Sequence, residues 1–289
     1  MNHTGPTANI LPCGQRLHLQ HGPIDLVIGA DGQRQRAFEA AVARFSTVLA
    51  ELVEELPALR TPLGARTPRP TGEVARRMHA AALPFRPSGF LTRMAAVAGA
   101  VADEILAAMC AAAVLERAYV NNGGDIALHL TGAATFTTAM TDHRGQMLGR
   151  ITLTARDGVG GIATSGRHGR SHSLGIADSV TVLARTAATA DVAATLVANA
   201  VDLPGHPAIT RRAASALDEN ADLGDRPVVT GCGALAAPDC HCALARGKDR
   251  AAGFTKAPLI HSAALFLQEH ACVTDHNAFA LHHPEDAYA

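Results

Sequence analysis

The chain has no tryptophan and only 2 Tyr and 8 Phe among its 289 residues. Hydrophobic residues still make up 48%, so a core must be built mainly from Ala, Val, Leu and Ile. The shortage of aromatic side chains argues against binding by base stacking, which single-stranded nucleic acids use. The formal net charge is −1, which provides no dominant field for nucleic acid or an anionic membrane. We therefore expect neither of these as a partner.

The first eleven residues lack a basic start followed by an apolar run, so we expect no export signal. The most apolar helix candidate, residues 94–115, carries Asp103 and Glu104 at mid-span, which predicts a buried helix rather than a membrane span. Six cysteines in such a chain are typical of free thiols in a reducing compartment. These features predict a cytoplasmic protein.

Several catalytic motifs are missing from the sequence. It contains no GxSxG, no HExxH and no Walker-type phosphate loop. Hydrolysis by a nucleophilic serine, zinc proteolysis and P-loop nucleotide hydrolysis are therefore disfavoured.

Hydrophobic spacing predicts both helices and strands. The predicted helices cover residues 33–56, 73–82, 95–116, 186–199 and 207–217. Strands are predicted at residues 24–30, 118–121, 126–130, 135–141, 149–154, 161–163 and 178–184, with a strand-like pattern at 258–267. The strands do not alternate strictly with helices, which predicts a layered α+β fold with a mixed or antiparallel sheet and flanking helices.

The domain organisation follows from composition. We predict an N-terminal extension (1–23), a single α+β domain (24–270) and a C-terminal tail (271–289). Within the domain, four prolines predict a loop at residues 57–71, and residues 204–257 form a variable segment.

The most informative stretch is residues 161–200, which predicts a strand, a polar loop, a second strand and a helix. Asp191 and Thr195 are four residues apart on that helix, so they share one face. Their oxygens are hard ligands of the kind that Mg²⁺ takes. The alternative is a surface aspartate beside a threonine that bonds to its own helix.

The loop in this stretch combines arginine, histidine and hydroxyl side chains. Guanidinium groups and backbone N–H groups suit phosphate oxygens, so the loop is a candidate anion site, with a solvated turn as the alternative. Its candidate residues are Thr164, Ser165, Gly166, Arg167, Arg170 and His172.

Three further segments are candidates for binding. Asn122, Gly123, Gly124 and Asp125 follow a predicted strand, where paired glycines let a ligand approach the backbone or simply form a tight turn. Gly99 lies in a small-residue helix, where close packing is the simpler interpretation. The cluster Cys232, Cys240, His241 and Cys242 offers zinc ligands, but its spacing is atypical of a zinc site, and its role stays open.

Four segments in one order, MAAVAGAVAD (94–103), VNNGGDIALHL (120–130), GIATSGRHGRSHSLGIADSVTV (161–182) and TAATADVAATLVANAV (186–201), resemble the ApbE-like proteins. The founding activity of that family is FAD:protein FMN transfer. The chain is most similar to an uncharacterised cytoplasmic prokaryotic branch. The resemblance covers residues 24–201 and resumes at 259–267.

The resemblance implies Mg²⁺ on Asp191 and Thr195, with a backbone carbonyl near Val97. It also implies a FAD or FMN pocket lined by the residues of the Gly-Gly-Asp turn and the Thr-Ser-Gly loop, and by Gly99. His172 corresponds to a family histidine, and Arg167 or Arg170 would replace a family lysine, because Ala98 stands at the position of that lysine. The family's Asp-Pro-Arg-Thr-Gly-like segment is also missing after His172.

Three functions are therefore open. The first is Mg²⁺-dependent flavin or nucleotidyl transfer, with a protein as a possible acceptor. The second is another small-molecule reaction on the same fold, and the third is flavin or nucleotide binding without catalysis. The chain can also form an oligomer, although no pattern specifies one.

Overall fold

The computed structural model describes residues 5–275 and 278–282. The chain divides into two compact units. Unit 1 comprises residues 5–135, 154–163 and 183–192, and unit 2 comprises residues 136–153, 164–182 and the described residues from 193 onward. Part of the predicted C-terminal tail lies outside the described residues. The single domain over residues 24–270 stays a prediction.

The described residues form fourteen strands and five α-helices. The strands are β1 (Thr7–Ile10), β2 (Arg16–His21), β3 (Ile24–Gly32), β4 (Leu115–Asn122), β5 (Asp125–Leu130), β6 (Thr135–Thr141), β7 (Met147–Thr154), β8 (Gly161–Ser165), β9 (Ser179–Ala184), β10 (Ile209–Ala213), β11 (Pro227–Cys232), β12 (Ser262–Leu267), β13 (His270–Val273) and β14 (Phe279–Leu281). The helices are α1 (Arg34–Leu59), α2 (Glu73–Ala82), α3 (Val97–Ala112), α4 (Ala187–Ala200) and α5 (Ala237–Lys256).

Unit 1 is built on antiparallel strands in the order β1-β2-β3-β4-β5-β8. Strand β4 begins just after α3 and pairs with β3, so Leu26 faces Asn122 and Gly32 faces Leu115 across the ladder. Helix α3 packs on β4 and β5, and α1 packs on α3. The predicted N-terminal extension contains β1 and β2, which sequence periodicity did not identify.

Helix α1 follows the predicted apolar spacing, with Phe38, Phe45, Val48 and Leu52 among its buried residues. The prediction ended this helix before Pro57, whereas the helix continues through Pro57 to Leu59. A proline lacks the N–H that would bond one turn back, so it is tolerated here only near the helix end.

The loop between α1 and α2 is anchored by Arg93, which is only 1% exposed. Its guanidinium donates to the carbonyl oxygens of Ala58 (2.7 Å) and Pro68 (2.5 Å) and to Nδ1 of His79 (3.1 Å). A buried guanidinium is costly unless its donors are used. The proline-bearing loop is thus tied to the helices that flank it.

Unit 2 contains three groups of strands. Strands β14, β7 and β6 form one sheet, β10 and β11 form an antiparallel pair, and β9 is followed in sheet order by β12 and β13. The predicted helix over residues 207–217 is wrong. These residues form β10 and a short 3-10 turn (Ala214–Ala216), because pairing with β11 supplies the hydrogen bonds that a helix would have made.

The α+β class with antiparallel sheets is confirmed. Among the described residues, one stretch, Arg93–Ala112, is long and apolar enough to cross a membrane, and half of it is buried within the protein. The core helix of a folded domain meets the same criterion, in agreement with the prediction of a buried helix.

Candidate functional site

The start of helix α4 is held by groups from its own cap and from α3. Thr186 acts as the N-cap, since its Oγ1 accepts a hydrogen bond from the N–H of Thr189 at 3.2 Å. The carboxylate of Asp103 accepts from the first two helical N–H groups, those of Ala187 (3.0 Å) and Ala188 (2.9 Å). The N–H of Ala190 makes the first regular helical bond, to the carbonyl of Thr186 at 3.1 Å. The three helical N–H groups before it, which a helix start leaves free, therefore all have acceptors.

Gly99 lies against this first turn of α4. A Cβ at Gly99 would meet the carbonyl oxygen of Ala187 at 2.3 Å and the nitrogen of Ala188 at 2.6 Å, so no larger residue fits without movement of backbone. The close-packing interpretation of Gly99 therefore holds. The N–H of Gly99 also donates to Oδ2 of Asp191 at 3.1 Å, which joins α3 to the predicted metal ligand.

Asp191 lies in an environment that disfavours its negative charge. Burial raises the pKa of its carboxyl well above the usual value, and the negative charges of Asp125 and Asp103 act in the same direction. The N–H groups of Gly99 and Ala98 act in the opposite direction, but they do not compensate. Burial likewise raises the pKa of Asp103 to about 6. Three carboxyl groups are thus brought together in unit 1, one from α3, one from β5 and one from α4.

Asn122 adds an oxygen to the same region. Its Nδ2 donates to the carbonyl of Ala98 at 3.0 Å, while its buried Oδ1 has no hydrogen-bond partner in the part of the chain that the structure describes. The residue is 4% exposed. A buried carbonyl oxygen without a donor costs free energy, which a bound cation or an external donor would recover.

Gly123 and Gly124 form the two-residue turn between β4 and β5. Their φ angles are +63° and +111°, a conformation that glycine adopts without strain. The N–H of Gly124 is bonded to Oδ1 of Asn121 at 2.8 Å. The turn brings Asn122 and Asp125 opposite each other at the strand ends.

Thr195 follows Asp191 by one turn of α4. Both positions are partly exposed, whereas the three residues between them are buried, so the pair shares one face as predicted. Within residues 5–275 and 278–282, no group of three or more His, Cys, Asp or Glu side chains is arranged to hold a metal ion. This finding gives no support to zinc at Cys232, Cys240, His241 and Cys242. The predicted magnesium ligands are one carboxylate, one hydroxyl and one carbonyl, and they stay a prediction.

The predicted anion loop lies in unit 2 and is organised by Asp178. Arg167 donates to Oδ1 of Asp178 from Nε (2.8 Å) and Nη2 (2.6 Å), and His168 Nε2 lies 3.1 Å from the same oxygen. A Cβ at Gly166 would meet the Asp178 carbonyl oxygen at 2.3 Å. The guanidinium of Arg167 is thus engaged by a carboxylate of its own unit.

The other residues of this loop are more open to solvent. Thr164 is exposed, and its Oγ1 pairs with that of Thr181 at 2.9 Å. Ser165 is partly exposed, and Arg170 and His172 are exposed. Their proposed roles in binding and catalysis stay predictions.

Two residues of structural importance were missed by the sequence-based reasoning. Asp103 was interpreted only as a charge that excludes a membrane span, although it lies four residues after Gly99 and so on the same helix face. Asp178 was predicted only as the first residue of a strand. Its carboxylate follows the two arginines of the loop, Arg167 and Arg170, and was not considered as their partner. The residues that Asp103 and Asp178 contact are too far from them in sequence to be recognised by spacing.

The architecture and the site together define a class: an α+β protein in which a small-residue helix, a Gly-Gly-Asp turn and a DxxxT helix carry the candidate residues. A family model described as "AbpE bacteria" matches residues 8–275. The chain belongs to this family.

Relatives and a solved structure agree with this assignment. A UPF0280 protein of Methanopyrus kandleri is 33% identical over 208 residues, which is 71% of this chain and 82% of the relative. A UPF0280 protein of Methanococcus vannielii is 36% identical over 115 residues, 37% of this chain and 44% of that protein. The crystal structure of the flavinyl transferase ApbE of Pseudomonas stutzeri, in its apo form, aligns with a TM-score of 0.50 at 11% identity, covering 98% of this chain and 96% of that chain. The similarity to the Pseudomonas stutzeri structure shows that the two proteins share a fold.

Proposed function

We propose that the unit 1 site binds a divalent cation, Mg²⁺, and acts on a flavin dinucleotide or a related nucleotide. The observation that carries the proposal is the buried Oδ1 of Asn122, which has no hydrogen-bond partner among the described residues and belongs to the residue opposite Asp125 at the strand ends. Carboxylate and amide oxygens are the ligands that Mg²⁺ prefers, so this donor set fits the ion. The family membership and the shared flavinyl transferase fold support a flavin as the nucleotide.

The proposed reaction is transfer of FMN from FAD to a hydroxyl of a protein acceptor in the cytoplasm. The bond between one phosphorus of the pyrophosphate and the bridging oxygen breaks, and AMP leaves with that oxygen. The acceptor oxygen bonds to the FMN phosphorus, and its proton passes to a base. A bound Mg²⁺ supplies neutralisation of the phosphate charge.

The residues have separate proposed roles. Asp191 and Thr195 would hold the ion, and the N–H of Gly99 orients the carboxylate of Asp191 at 3.1 Å. Asn122 directs a buried oxygen into the site. The roles of His172 as a base and of Thr164, Ser165 and Gly166 in flavin contact are separate proposals for unit 2.

A second function, flavin or nucleotide binding without transfer, is favoured by one observation. Ala98 replaces the family lysine, and Arg167, one candidate to replace it, donates twice to Asp178. A guanidinium so paired has less charge to offer a phosphate.

One experiment separates the two functions. The purified chain is incubated with FAD and Mg²⁺, with and without a serine- and threonine-containing peptide, and AMP release and flavin retention are measured. AMP release that disappears in Asp191→Asn but persists in Asp249→Asn, a variant of an exposed aspartate on α5, supports transfer. FAD retention without AMP release supports binding alone. If the protein neither retains FAD nor responds to Mg²⁺, both functions are refuted, and a different small-molecule reaction is left.

A further inference from the structure

Asp103 uses its whole carboxylate on the backbone of another helix. Oδ1 accepts from the N–H of Ala187 and Oδ2 from the N–H of Ala188, at 3.0 and 2.9 Å. The next residue, Glu104, instead makes the ion pairs of α3, with Arg44 and Arg77. Glu104 therefore pairs with arginines, whereas Asp103 binds the start of α4.

The same face of α3 makes a second contact one turn earlier. Gly99, four residues before Asp103, approaches Ala187 and Ala188 at a distance that only glycine permits. Its N–H donates to Asp191 at 3.1 Å. Asp103 and Gly99 thus hold successive turns of α4, first at its N–H groups and then at the side chain of Asp191.

Ala187 and Ala188 have no polar side chains, so the position of this turn depends on their backbone N–H groups. Thr186 satisfies only the third N–H, that of Thr189. If the Asp103 carboxylate is removed, two N–H groups lose their acceptor and the first turn of α4 is free to shift relative to α3.

We propose that Asp103 is a positioning residue, which holds the first turn of α4 against α3 so that the Asp191 carboxylate stays in place for a divalent cation. This inference rests on the proposed function, because it assigns a task toward the same cation site. Groups that orient metal ligands typically change metal affinity by about 10- to 100-fold when they are removed. We expect an effect of that size for Asp103.

The test uses the full chain and Mg²⁺ alone, measured by isothermal titration calorimetry. Asp103→Ala should raise the Mg²⁺ dissociation constant by about 10- to 100-fold. Asp103→Asn keeps one oxygen acceptor and places an NH₂ group where the second oxygen was, so one of the two N–H groups loses its acceptor; its Mg²⁺ dissociation constant should lie between those of the original protein and Asp103→Ala. The matched control is Asp157→Ala, which also removes a carboxylate that accepts two hydrogen bonds, here from Thr154 N and Oγ1. It should leave Mg²⁺ affinity unchanged.

Hydrogen exchange of the Gly99 amide provides a readout that needs no metal. Its exchange should become fastest in Asp103→Ala, increase less in Asp103→Asn and remain slow in Asp157→Ala, because only the loss of the Asp103 acceptors frees α4 to draw Asp191 away. If Asp103→Ala does not fold, Asp103→Ser takes its place, since a shorter acceptor reaches the helix start less well.

The outcomes are distinct. Unchanged Mg²⁺ affinity and Gly99 exchange in Asp103→Ala overturn the inference. Weaker Mg²⁺ binding in Asp103→Ala with unchanged Gly99 exchange also overturns it, because the loss of charge and not the loss of helix positioning would then be responsible. If the original protein binds no Mg²⁺, the proposed function is refuted, and the Gly99 exchange still decides whether Asp103 positions Asp191.

Discussion

Substitution of Gly99 by alanine should destabilise unit 1, although the same change usually stabilises a helix. In an exposed helix interior, glycine is less favourable than alanine by about 0.5–1 kcal/mol. At Gly99, however, the new Cβ would meet three backbone atoms of α4 at 2.3, 2.4 and 2.6 Å. These atoms cannot rotate away, so α4 must move by about 1 Å to reach ordinary contact, and overpacking of that kind costs about 1–3 kcal/mol. We expect a net loss of about 1–2 kcal/mol.

Urea unfolding of Gly99→Ala measures this loss, and Gly253→Ala is the matched control. Gly253 also lies in a helix, α5, but a Cβ there meets nothing within 4 Å. The control should therefore gain about 0.5–1 kcal/mol, so the two substitutions have opposite signs. A Gly99→Ala protein as stable as the original would refute the close approach of α3 and α4. The variant should also bind Mg²⁺ less tightly, because the Gly99–Asp191 bond lengthens when α4 moves.

The remaining predictions concern ionisable groups of unit 1. Glu104→Gln should cost about 1.5–3 kcal/mol, because Arg77 loses its carboxylate and Arg44 keeps only its ion pair with Glu51. Although burial opposes it, the two guanidiniums hold the pKa of Glu104 below its usual value, so the difference from the original protein in urea unfolding should shrink as the pH falls below 4.5. Burial raises the pKa of Asp103 from 3.8 to about 6, so this group contributes stability below pH 3.8 that is lost as the pH rises through 6. In metal-free buffer, the free energy of unfolding of the original protein should therefore fall by about 3 kcal/mol relative to that of Asp103→Asn between pH 3.5 and 7. A difference between the two proteins that stays constant with pH would contradict this. Arg93→Met should cost about 2–4 kcal/mol by leaving buried carbonyl groups without a donor, and limited proteolysis should then cut the loop at residues 60–72.

Local pattern was sufficient for most elements of the fold. Helix α2 has the predicted bounds, and strand β5 begins one residue earlier than predicted, since apolar spacing and the flanking glycine or proline act within a few residues. The prediction failed where an element depends on residues that are distant in the sequence. Residues 209–213 form a strand because β11, about fifteen residues further along, pairs with them, and β1 has only exposed residues and so no periodic signal.

The candidate site shows the same limit. The DxxxT pair and the Gly-Gly-Asp turn are short patterns, and each lies on the element predicted for it. The bond from Gly99 to Asp191 spans 92 residues and those from Asp103 span 84 and 85, so only the folded chain reveals them. The pairing of Arg167 with Asp178 spans eleven residues, but the turn at Gly166 that makes it possible depends on close contact with the Asp178 backbone.

We predict that Ala98 stands where the family has a lysine, which would remove a positive charge from the site around Asp191. The carbonyl of Ala98 accepts a hydrogen bond from Asn122, and burial, followed by the negative charges of Asp125 and Asp103, raises the pKa of Asp191. Arg77 lowers the pKa of Asp103 only from a distance, since its guanidinium bonds to Glu104. A site of this kind holds protons until a cation replaces them. On that prediction, the loss of the lysine does not by itself argue for an inactive site, because it would make the carboxylates more dependent on a divalent cation.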